Sequence, residues 1–229
     1  MRRLGKYNES DRLSELIADD YPVLLVLSRF GIGLGVGDKS IKEVCDEYGV
    51  DTVTFLALVN SLHNQQSQAD LQSLSVDALL TYLHSSHDYF LEYRLPMIRK
   101  KLASAVDGEH TLTKAIFDYF DGYAAEVRRH MMYEEKTVFP YVCQLLSGKR
   151  ADGYGIDIFS KRHDQVEARL TEFKQIMIKY YPGGNTNEIN DVMFDIFSAE
   201  RDLASHNAIE DRLFVPAIRL MEKQLESKV

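Results

Sequence analysis

From residue 76 onward, apolar residues recur at spacings of three and four, as in Leu79, Leu80, Leu83 and then Tyr89, Phe90, Tyr93. That period lines one face of an α-helix and does not suit the two-residue alternation of a half-buried strand. It is interrupted by "DGEHT", "SGKRADGYGID" and "YPGGNTN", whose Gly, Asp, Asn and Pro favour turns. The pattern predicts four long helices at about 76–106, 111–147, 160–181 and 187–226. Four amphipathic helices with short connections make an antiparallel up-down bundle. Ahead of them Asp11–Phe30, Ser40–Tyr48 and Asp51–His63 read as shorter helices, with a capping box at Ser40 and Glu43. The polar stretch "QQSQADLQSLS" comes next. The expected order is therefore a small helical N-terminal domain (1–66), a linker (67–75) and an all-α four-helix bundle (76–229).

Charge and cysteine usage narrow the function classes. A formal charge of −8 argues against a general binder of nucleic acid or anionic membrane, and the basic clusters Arg99-Lys100-Lys101 and Arg128-Arg129 are short. The apolar run Val23–Leu27 is far too short to span a bilayer, and the charged N-terminus carries no signal-peptide pattern. Cys45 and Cys143 lie far apart and form no CxxC pair, which suits a reducing compartment. A soluble cytoplasmic protein is the expectation.

Within the bundle one line is written twice. "HMMYEEKTVFP", residues 130–140, returns 76 positions later as "HNAIEDRLFVP", residues 206–216. Residues four apart share a helix face, so His130 and Glu134 point one way, as do His206 and Glu210. The third helix carries "HDQVE", with His163 and Glu167, and the first carries His84 and His87. A lone His-x-x-x-Glu is ordinarily an exposed pair worth a few tenths of a kcal/mol. Here every long helix brings at least one histidine, and ligands on facing helices of a bundle can converge on its core. Several imidazoles and two carboxylates buried together cost roughly 1–3 kcal/mol for each unpaired group, and a metal ion would supply the missing positive charge.

The donors are nitrogen and oxygen, without thiolate. That disfavours structural zinc and suits two ions of iron or manganese bridged by carboxylate. The Glu-x-x-His of ferritin-like bundles is absent, so this would be a different kind of di-metal site. Glu135, Glu167, Glu126 and Asp202 read as ordinary surface charges, with a place beside the ligands as the alternative. Phe139, Phe214, Met131 and Ile209 are candidate walls. Pro96, Pro140 and Pro216 stand nine or ten residues after a histidine, where a proline either ends a helix or bends it.

On "HDYFLEYRLP", "HMMYEEKTVFP", "KRHDQVE" and "HNAIEDRLFVP" the chain resembles the hemerythrin-like di-iron proteins, and among them the Repair of Iron Centres family. The resemblance implies a hemerythrin-like bundle holding a non-haem di-iron centre. Its ligands would be His87, His130, His163 and His206, with Glu134 and Glu210 bridging; His84 and Glu167 are further candidates. "RFGIGLGVGDKSIKEVCDEYGV", residues 29–50, is similar to the family's N-terminal domain. It departs at 34–37, where "LGVG" stands in place of adjacent cysteines followed by glycines. The resemblance implies repair or protection of iron-sulfur proteins under nitric oxide or oxidative stress. The second reading is a di-iron sensor of O2 or NO that signals through a protein partner. The expected partners are a diatomic ligand and iron-sulfur proteins, with a homodimer allowed and neither nucleic acid nor membrane.

Overall fold

The computed structural model describes residues 6–63, 69–106, 111–149, 153–159, 164–181 and 186–227. Among them the chain is all-α, and the strand-like pairing is one bridge between Arg12 and Ser40. Four short helices come first: α1 (Leu13–Asp19), α2 (Val23–Arg29), α3 (Ile41–Tyr48) and α4 (Thr52–His63). Then α5 runs without a break through Val76–Asp88, Tyr89–Arg94 and Leu95–Ala105, and α6 through Thr113–Tyr133, Glu134–Val138 and Phe139–Leu146. Asp164–Tyr180 is α7; α8 is Thr186–Ile209, Glu210–Phe214 and Val215–Glu226. The middle segment of α5, α6 and α8 is π-helical.

The four long helices lie where the apolar period puts them. The N-terminal segment differs in one place. Asp11–Phe30, expected as one helix, is two, with Asp20, Tyr21 and Pro22 between them. α1 stops at Asp19 because Asp20 leaves the α region, with φ of −141° and ψ of 79°, and Pro22 two residues on has no N–H to continue a helix.

By its internal contacts the chain forms two compact units. The first holds residues 1–86, 142–156 and 208–229. In it Phe30 packs between Phe55 and Tyr82, with ring centroids 6.1 and 5.9 Å away, and the buried Arg29 donates to Tyr82 Oη at 2.8 Å. The capping box forms as read. Glu43 N–H donates to Ser40 Oγ, and Ser40 N–H donates to the Glu43 carboxylate at 2.7 Å. The described part of the 67–75 stretch is tied down, because Asp70 caps the turn Leu71–Ser73 and Ser75 N–H donates to Thr54 Oγ1 at 2.8 Å. In the turn at 34–37, Gly35 and Gly37 take φ of 90° and 60°, which side chains with a Cβ rarely adopt.

Cys45 is buried in this unit, and burial pushes its thiol up to about 11, whereas Cys143 is exposed. A chromogenic thiol reagent at pH 8 is therefore expected to modify Cys143 quickly in the native chain and Cys45 only after denaturation. Two fast thiols in native protein would contradict the packing of α3.

The second unit holds residues 87–141 and 157–207, four helical stretches packed side by side. Its core includes Phe90, Ile98, Ile116, Phe120, Phe173 and Ile196. Arg94 and Lys101 of α5 pair with Asp195 of α8 at 3.0 and 2.7 Å, and Arg99 pairs with Asp121 of α6 at 2.7 Å.

Candidate metal centre

Each of α5, α6 and α8 delivers its polar residues where its α segment passes into the π segment. On α5, His87 is 1% exposed, while His84, three residues earlier, faces solvent. Burial thus separates two histidines that spacing leaves on the same side. On α6, Glu134 is fully buried, with Oε1 2.9 Å from Nε2 of His130 and Oε2 2.8 Å from Nε2 of His87. On α8, His206 and Glu210 are fully buried, and the His206 ring centroid lies 5.2 Å from that of His87. Ligand atoms of His87, Glu134, His206 and Glu210 all lie within 4.8 Å of one another. His130 stands beside this group through Glu134, its ring stacked on Phe159 at 6.2 Å.

The contacts around Glu134 test whether a cation suits the group. Both ring nitrogens are close enough to bond, yet among the described residues neither carboxylate oxygen of Glu134 makes a hydrogen bond of normal geometry. Buried carboxylates without such bonds are costly. A carboxylate held against two imidazole nitrogens without such a bond is arranged as a ligand of an ion, and the nitrogen and oxygen set suits iron or manganese. The residues present fit a bound metal.

The remaining candidates divide. His163 lies outside the described residues, as does the side chain of Glu167, which stands on α7. Glu126 pairs with Arg169 at 2.8 Å. Its side chain is 16% exposed, and two more of the expected surface charges are likewise not on the surface. Asp202 is buried, and Glu135 turns inward to Nδ1 of His87 at 2.6 Å. Among the candidate walls, Phe139, Met131, Phe214 and Ile209 are all buried, and Phe139 lies flat on His87 with centroids 5.3 Å apart and planes 3° from parallel.

The prolines neither end their helices nor leave them α-helical. The residue before each one, Leu95, Phe139 or Val215, donates its N–H to a carbonyl five residues back, on Phe90, Glu134 or Glu210. The α register would bring the proline ring against the carbonyl four residues back. A π turn moves that carbonyl, and such turns are frequent at functional sites. Glu134 and Glu210 each stand six residues before their proline, and so does Phe90. The fold thus has three equivalent inward places, and the chain fills the third with a buried phenyl ring lying edge-on to His206 at 6.3 Å. Sequence reasoning took Phe90 for ordinary helix lining; the shared distance to proline was the signal available.

The family described as the hemerythrin HHE cation binding domain matches residues 78–218. Comparison with curated proteins finds no match.

Proposed function

The chain belongs to the hemerythrin HHE cation-binding family, and from that premise we propose that it holds two non-haem iron ions bridged by carboxylate, with manganese as the competing metal. The observation that carries this reading is the buried convergence of His87, Glu134, His206 and Glu210. On it, His87, His130, His163 and His206 would hold the ions through imidazole, and Glu134 and Glu210 through carboxylate. Iron held there would supply redox chemistry and a site for O2 or NO. The chain's own part is to fix the donors and keep water away. Glu134 gathers two imidazoles from two helices, Phe139 covers one face of His87, and Phe90 occupies a place where a third carboxylate would otherwise enter.

The cellular role we infer is protection or repair of iron-sulfur proteins under nitric oxide or oxidative stress, in the cytoplasm. It extends the resemblance to the Repair of Iron Centres family. The turn at 34–37 limits that extension, because it carries no cysteine and Cys45 is buried with a raised thiol pKa. With Cys45 buried and no cysteine in that turn, the role rests on iron binding and not on thiol-assisted iron transfer. Among the described residues no helix is long and apolar enough to cross a membrane.

The test is elemental analysis of untagged protein prepared without chelator. About two irons per chain are expected, falling below half of that in His130→Ala and in His206→Ala. Negligible metal after anaerobic loading with ferrous iron would overturn the reading.

A further inference from the structure

We propose that Glu135 is a positioning residue for metal binding, its carboxylate holding His87 in the tautomer that leaves Nε2 for the ion. The inference rests on the metal-binding reading above and names a residue that does not itself touch the metal.

The two nitrogens of His87 face two neighbouring carboxylates, and the contacts differ in kind. At Nδ1, Glu135 Oε1 lies 2.6 Å away in hydrogen-bonding geometry. At Nε2, Glu134 Oε2 lies 2.8 Å away, and Glu134 makes no hydrogen bond of normal geometry. An ionised carboxylate can only accept, so the proton of this short contact sits on Nδ1. The lone pair of a neutral imidazole is then on Nε2, pointing into the buried group. Phe139 covers the ring face at 5.3 Å. Both nitrogens and one face of His87 are thus met by Glu134, Glu135 and Phe139. All three belong to the turn closed by the bond from Phe139 N–H to Glu134 C=O.

The π turn does not by itself call for an inward acid at this place. Its counterpart on α8 is Asp211, which is exposed. Nor is Glu135 a surface charge that happens to reach inward, since its side chain is only 19% exposed. A carboxylate behind a ligating imidazole fixes ring orientation and raises the basicity of the nitrogen that binds, and losing it typically costs 10- to 100-fold in metal affinity.

The experiment compares wild type, Glu135→Gln and Glu135→Ala in two measurements. Nitrogen-15 NMR of the metal-free protein reads which nitrogen of His87 carries a proton, and anaerobic titration with Fe2+ reads affinity. In wild type Nδ1 should be protonated. Glu135→Gln, which keeps an acceptor in place, should preserve that proton and lose less affinity than Glu135→Ala. Glu135→Ala should lose the Nδ1 preference and bind Fe2+ about 10- to 100-fold more weakly. A merely structural tie would lower the melting temperature without moving the proton. The proposal is overturned if wild-type Nδ1 carries no proton, or if Glu135→Ala keeps both the proton and its Fe2+ affinity within about twofold. Wild-type protein that takes up no Fe2+ would instead overturn the metal reading itself.

Discussion

Glu134→Gln is expected to make the metal-free protein more stable while removing its capacity for metal. Glu134 is fully buried, and its oxygens lie near two imidazole nitrogens without forming normal hydrogen bonds. Holding a carboxylate there costs several kcal/mol, and the nearby histidines offset that only in so far as they carry charge. Glutamine keeps the shape, drops the charge and brings an N–H that a neutral imidazole can accept. The gain should be about 1–3 kcal/mol, or roughly 2–10 °C in melting temperature for a chain of this length. The same change removes a donor shared by two histidines, so metal per chain should fall below half of wild type. Ferrous iron, which stabilises wild type by binding the folded state, should no longer raise the variant's melting temperature. Thermal melts with and without Fe2+ check both parts. If Glu134→Gln melts lower than wild type without metal, the carboxylate is stabilised by its histidines and the argument from buried charge fails.

Deleting Thr137 should be far more damaging than substituting it. Thr137 is a half-buried member of the π segment Glu134–Val138. Without it the chain can close the same stretch in the α register with the downstream residues still on their faces, because a π turn holds one residue more than an α turn. Tyr141, Val142 and Leu145 then stay buried, but the ring of Pro140 meets the carbonyl four residues back. A proline inside an α-helix costs about 3 kcal/mol. The expected result is a folded product that melts roughly 6–12 °C below wild type by circular dichroism. Thr137→Ala, which leaves the register alone, should stay within about 1 kcal/mol of wild type. A deletion variant that melts like wild type would show that the π turn is not needed to accommodate Pro140.

These two experiments probe different layers of what the sequence made legible. The long helices were readable because the apolar period is carried over many residues and the breaks are rich in turn formers. His130 with Glu134 and His206 with Glu210 were readable because a spacing of four has one meaning on a helix. Spacing could not choose between His84 and His87, three residues apart; burial separates them. The π turns were invisible to it because each changes the bonding of a single turn, which a count of threes and fours averages away. Glu135 was read first as a surface charge, with a place beside the ligands only as the alternative, for a related reason. Neighbours on an α-helix point about 100° apart, so a second acid beside an inward one is expected to face water. Phe90 was missed because an apolar residue on a helix is ordinarily lining; its meaning lies in the proline six positions on.

The proline-anchored turns also decide where a gene for such a chain can change length. Connections between helices can gain codons cheaply, since doubling a flexible loop costs only about 0.6 kcal/mol. Between His130 and Pro140, or between His206 and Pro216, every codon is counted, because the backbone there has already taken up the one extra residue its register accepts. Drift in length is therefore expected around Gly148 and before Thr186, while these two short stretches can change their letters but not their number.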